Sequence, residues 1–186
     1  MKTFLSLITI FLLGITKQIN SQDINPLDFF PHHVGDLWQY WTYTQADNEF
    51  HQIEVAAVDT VWADSSIIIT EFNGLQEFYF KIFLNDSLKI YRNTLGGWGI
   101  LYDLKAELNS YWISDQYFSY YTKYVNEYVD KVFDDSLLTR EYWTGPDTIF
   151  SLPFSTDYVA LGIGSFYGEF EVGITVLTGC IIDGVK

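Results

Sequence analysis

The chain has 186 residues, with 24 acidic against 10 basic side chains, a formal charge of −14, and rings at 19% of positions. That balance argues against a nucleic-acid or anionic-lipid binder, since both would be repelled over a Debye length or so. A lone cysteine, Cys180, rules out an intrachain disulfide framework.

The chain opens on a secretory signal pattern. Lys2 supplies the positive start, and Phe4 to Leu13 supplies a short apolar run. That run is too short to span a bilayer, which needs roughly 20 apolar residues. Cleavage is predicted between Ser21 and Gln22, with Ser21 at position −1 and Ile19 at −3. No Cys follows the apolar run, so the usual bacterial lipid anchor is not expected. No second run of comparable hydrophobicity follows either, so no membrane span is expected in the mature chain. Residues 1–21 then form the signal peptide and residues 22–186 a single β domain, acting outside the cell or on its surface. A domain of that length buries roughly 70% of its unfolded surface, enough for a core without staples.

Short aromatic and β-branched runs alternate with turn signals along the rest of the chain. Trp38 to Thr44 opens the series. Gln52 to Trp62 follows, then Ser66 to Phe72. Asn73-Gly74 marks a hairpin turn, and Gln76 to Leu84 returns from it. Asn85-Asp86-Ser87 turns the chain into Leu88 to Arg92, and Leu95-Gly96-Gly97 breaks it. Tyr102 to Leu108 is the best helical stretch, with Leu104 and Leu108 four apart, but it is short and uncapped.

Phe118 to Phe133 sorts Phe118, Tyr120, Tyr124, Tyr128 and Val132 to one side, against a more polar set on the other. Sixteen residues is long for one strand, so a break or bulge is expected near Asn126. Asp134-Asp135-Ser136 turns into Leu137 to Trp143, which Thr144-Gly145-Pro146-Asp147 ends. Glu171 to Ile182 is the last strand, with Val172, Ile174, Val176, Thr178, Cys180 and Ile182 on one face. Asp183-Gly184 is a hairpin turn with only Val185 and Lys186 after it, so truncation within a C-terminal hairpin is expected.

The expected fold is all-β: a single antiparallel, strongly twisted sheet or open β-barrel of about 8–11 strands, with little helix beyond the signal segment.

Phe30-Pro31-His32-His33-Val34-Gly35-Asp36-Leu37-Trp38-Gln39-Tyr40 resembles the opening of many exported proteins of Bacteroidota-like bacteria. In these, Pro is followed by Gly four residues on, then by Trp and Tyr entering the first strand. Leu101 to Ala106, Gly162 to Gly168 and Leu177 to Gly184 look like the same group, in the same order. The resemblance implies a cargo protein of the type IX secretion route. Such proteins often carry a C-terminal sorting domain, which residues 22–186 do not show. It implies no catalytic residue. In physical terms, Pro31 fixes an extended lead-in, Gly35 permits a turn, and Trp38 and Tyr40 put two large rings on one face, as core residues.

Candidate sites are sparse. His32 and His33 are adjacent on an extended segment and point to opposite sides, and the spacing of His51 and Glu54 suits a helix rather than a strand. Zinc needs three or four convergent ligands, so these read as turn and surface residues. Asp130, Asp134 and Asp135 lack the spacing of a calcium loop and read as a solvated turn. Glu169 and Glu171 share a strand face and are the only carboxylate pair weighed for glycoside hydrolysis. Gly164-Ser165-Phe166 is no nucleophile elbow, and Gly162, Gly164 and Gly168 fail the dinucleotide fingerprint. Cys180 reads as a small hydrophobe in a strand.

No catalytic residue, metal ligand or cofactor is therefore assigned. The leading expectation is a secreted, non-enzymatic binding or structural module whose ligand or extracellular partner is unknown. A hydrolase of envelope carbohydrate and a half-barrel carrier of an apolar ligand are the alternatives.

Overall fold

A computed structural model describes residues 29–30, 33–85, 89–150, 153–170 and 173–183. These residues form twelve strands. In chain order they are β1 (Leu37–Thr44), β2 (Asn48–Val61), β3 (Ser66–Phe72), β4 (Glu77–Phe83), β5 (Lys89–Thr94) and β6 (Gly97–Asp103), followed by β7 (Tyr111–Asp115), β8 (Tyr120–Val132), β9 (Asp135–Gly145), β10 (Ser155–Ala160), β11 (Gly164–Phe170) and β12 (Gly173–Ile181). Each strand pairs with the next, β1 pairs with β12, and only β6 and β7 share no ladder. All ladders are antiparallel.

The sheet therefore curls into a nearly closed, up-and-down barrel with one seam. Across that seam the Trp112 indole donates to the Ile100 carbonyl at 2.9 Å. A Cβ on Gly99 would lie 1.9 Å from the Ser114 carbonyl oxygen, so only glycine lets the two edges come this close. Curvature comes from bulges, which sharpen local twist. Six of the ladders carry a register shift, between Gln39 and Tyr40, Val55 and Ala57, Ile90 and Tyr91, Ile113 and Asp115, Tyr124 and Asn126, and Tyr158 and Val159. The shift at Tyr124–Asn126 is the bulge expected in the long β8.

Turn chemistry follows the sequence closely. The Asn73 side-chain oxygen accepts from the Leu75 and Gln76 amides while Gly74 takes a φ of +89°, so β3 and β4 form a hairpin. Asp115 and Asp147 cap turns in the same way.

Little helix is expected and none runs over Tyr102–Leu108: Tyr102 and Asp103 end β6, and Asp103 accepts the Lys105 amide to turn the chain. Leu104 is buried and Leu108 exposed, so their spacing marks no shared apolar face. The strands number twelve, one more than the upper end of the 8–11 expected, because β6, β7, β10 and β11, short or glycine-bearing, carry weak sequence signals. The apolar face read along β12 is interrupted. Ile174 points outward and Leu177 inward, and the shift opposite Gln39–Tyr40 swaps the parity so that Cys180 and Ile182 pack on the core. Both edges of β12 are taken, by β1 and β11.

The barrel core is built from Val55, Ile69, Ile82, Ile90 and Val159, with Tyr142 packed against Tyr102 and Tyr124 in tilted contacts and against Trp112 edge-on. Phe29 is fully buried under the Arg140 guanidinium, 5.3 Å from its ring centroid. Arg140 also donates to the Leu104 carbonyl at 2.7 Å and the Glu127 carboxylate at 2.8 Å. Asp36, 1% exposed, accepts from the His33 and Asp183 amides and so ties the lead into β1 to the end of β12. No helix among the described residues is long and apolar enough to cross a membrane.

Candidate functional site

Strand alternation decides what faces the barrel interior. On β1 it points Trp38 and Tyr40 inward, and on β2 His51, Ile53 and Val55. On β3 the inward parity runs Ile67, Ile69, Glu71, so a carboxylate takes the place of a third aliphatic. On β5 it carries Arg92 two residues beyond buried Ile90. On β10 it brings in Ser155 and Asp157.

These side chains, with Phe30, Phe80 and Tyr102, line an interior cavity of about 420 Å³. A smaller cavity of about 280 Å³ shares Arg92, Leu101, Ser155 and Asp157 with it and runs to Ser114, Asp115 and Phe118 beside the seam. Arg92 and Asp157 thus stand between the two spaces.

The rings of the wall are fixed in place. The Trp38 indole donates to the Ile163 carbonyl at 2.7 Å, and the Tyr40 hydroxyl donates to the Ser165 carbonyl at 2.8 Å. The Ile163 carbonyl belongs to the turn between β10 and β11 and the Ser165 carbonyl to the start of β11, an arrangement that Gly162 and Gly164 make possible with φ of +81° and +85°. His51 stacks on Tyr40 with centroids 5.4 Å apart. Trp38 and Tyr40 are core residues as expected, and they are cavity wall as well.

The carboxylates are different. Glu71 is 8% exposed and has no hydrogen-bond or ion-pair partner among the described residues. Burial raises its pKa to about 7. Asp157 is pushed up to about 6 by burial, with Arg92 pulling the other way. Burial, followed by the nearby Glu71 charge, also raises the Tyr40 phenol, and burial raises Tyr102. Glu71, Arg92 and Asp157 belong to no motif in the sequence. The signal available for Glu71 was its position in the parity of Ile67 and Ile69.

None of the groups weighed from sequence forms a site. His51 faces inward and Glu54 is exposed on the opposite face of β2, while His32 lies outside the described residues. His33 pairs with Asp36 at 3.3 Å. Asp130 lies on β8, where it accepts the Lys131 amide, and Asp134 and Asp135 begin the return. No three metal-binding side chains gather among the described residues. Glu169 is exposed and accepts from the Tyr167 hydroxyl at 2.7 Å, and Glu171 lies outside the described residues. Cys180 is half-buried, and burial followed by the Asp36 charge raises its thiol pKa.

No protein family and no curated protein matches the chain in sequence. Among solved structures, the chain is similar to a Bacteroides fragilis protein described as exported and as having a YmcC-like fold. The two share 10% identity and a TM-score of 0.50 over 82% of this chain and 98% of that one. A Parabacteroides distasonis protein described as a lipoprotein matches at 11% identity and a TM-score of 0.40, over 82% and 97% of the two chains. At this identity the first likeness shows the fold alone.

Proposed function

We propose that the protein is an exported β-barrel that holds a small ligand in its interior cavity without transforming it. The observation that carries this reading is the cavity of about 420 Å³ with a buried, unpartnered carboxylate in its wall. Ligand pockets usually enclose about 300–1,000 Å³, lined by rings and a few aimed polar groups. A fully filled, ring-packed interior would have favoured a structural module, whereas here a cavity lies beside the packed core.

Glu71 and Asp157 both line this cavity, each with its pKa raised by burial, Asp157 against the pull of Arg92. Export is supported by the Lys2 and Phe4–Leu13 signal pattern and by the description of the Bacteroides fragilis neighbour. The type IX route rests on the resemblance of the opening motif.

Two experiments test the reading. Sequencing the N-terminus of protein recovered outside the cell should give Gln22, and material retained with Met1 would refute export. Chemical-shift mapping with a panel of small neutral, cationic and anionic aromatics should move Tyr40, Glu71 and Tyr102. A panel that moves none of them would refute the cavity as a binding site.

A further inference from the structure

We propose that the interior cavity selects a small organic cation, a primary ammonium carried on an apolar body. The inference rests on the ligand-binding reading above and goes further by assigning the ligand's charge.

The first observation is the state of Glu71. Glu71 as a residue is 8% exposed, lines the cavity, and its carboxylate takes no hydrogen bond from any described residue. A buried acid in that condition is satisfied either by keeping its proton or by receiving a charged donor. No donor of the described wall is hydrogen-bonded to it. Trp38 and Tyr40 have their polar hydrogens committed to the Ile163 and Ser165 carbonyls. Arg92 is close enough to Asp157 to pull its pKa down, and exerts no comparable effect on Glu71.

The second observation is the chemistry around it. The wall adds Phe80, Tyr102 and Phe30 to Trp38 and Tyr40. Aromatic faces attract an ammonium through the ring quadrupole, more strongly once water is excluded. The charged wall groups sum to an acidic excess, with Glu71, Asp157 and Glu169 against Arg92, and with His51 stacked on Tyr40. The whole chain, at −14, draws cations toward the barrel and repels anions. Glu71 presents two acceptor oxygens, which favours N–H donors and hence a primary ammonium over a quaternary one.

The test uses three probes of nearly equal shape: benzylamine, benzyl alcohol and benzoate. Each is titrated into the protein by calorimetry at about pH 8, where a carboxyl with a pKa of about 7 is mostly ionised. Benzylamine should bind at least about tenfold more tightly than benzyl alcohol, the gain expected of one buried charge-assisted contact. Benzoate should be weakest. Glu71→Gln should abolish the preference for the amine and leave benzyl alcohol binding in place. Equal affinity for amine and alcohol would overturn the charge assignment while the cavity reading stands. Tighter benzoate binding would replace it with an anion held by Arg92. No binding by any probe would overturn both readings. Glu71→Gln removes a destabilising charge, so misfolding of the variant is not expected to obscure the comparison.

Discussion

Replacing Glu71 by Gln should stabilise the protein, and by an amount that grows with pH. The glutamate carboxyl is raised from its ordinary 4.5 to about 7 in the folded barrel, with burial as the cause. A raised acid favours its neutral form when folded. Its penalty is therefore absent below about pH 4, accumulates as pH climbs from the unfolded toward the folded pKa, and is complete above about pH 7. A shift of that size corresponds to about 3 kcal/mol at pH 8 and about 1 kcal/mol at pH 5. Glutamine keeps the shape and cannot ionise, so the gain of the variant over the parent should differ by about 2 kcal/mol between the two pH values. Urea unfolding of both proteins at pH 5 and pH 8 measures this directly through the midpoints at constant slope. A gain that is the same at both pH values, or a loss at pH 8, would refute the claim that Glu71 is a desolvated acid without a partner.

The remaining predictions concern closure, the Arg140 contacts and the thiol. Gly99→Ala should destabilise the barrel by about 2 kcal/mol or more, because its Cβ meets the Ser114 carbonyl at 1.9 Å. Gly168→Ala, whose nearest contact is an ordinary 3.5 Å to Asp157, should cost well under half of that in the same thermal melt, and equal losses would discount the seam. Arg140→Met should cost about 3 kcal/mol in urea unfolding, since it strips the Leu104 carbonyl and Phe29 of a guanidinium that is 6% exposed. A loss below about 1 kcal/mol would show that the network is dispensable. Cys180 should react with a disulfide reagent far more slowly in the folded protein than in urea, because burial and the Asp36 charge raise its thiol pKa, and equal rates would contradict that placement.

Much of the architecture was legible because alternation and turn residues act over a few neighbours. Asn73-Gly74 specifies its hairpin through a side-chain oxygen and a left-handed glycine, and the bulge in β8 follows from a strand too long to stay flat. The strands that escaped notice were those whose identity depends on distant contacts. In β6, Gly97 and Gly99 read as breakers, yet Gly99 is there because the β7 backbone lies against it. In β12 the apolar face read from alternation fails where the bulge against β1 swaps its parity, and such a shift belongs to the pair of strands rather than to either sequence.

The cavity was hidden for a related reason, which also explains its function-like character. Ser-Ile-Ile-Ile-Thr-Glu-Phe has aliphatic residues on both parities, so nothing local says whether Glu71 faces water or the interior. Closure settles it: once β1 meets β12, the side of β3 that carries Ile69 becomes the inside, and Glu71 is carried in with it. Asp157 enters the same way from β10, while Arg92 reaches the cavity from an exposed position on β5. Folding alone would be served better by a leucine at position 71, because a desolvated acid opposes the folded state at neutral pH. A barrel that keeps such an acid unpaired, facing a hollow walled by fixed rings, has the stability deficit that a charged ligand would remove on binding. Loss of the Glu71 penalty on saturation with benzylamine, read as a larger stabilisation at pH 8 than at pH 5, would join the folding and binding arguments in one measurement. An identical stabilisation at both pH values would separate them.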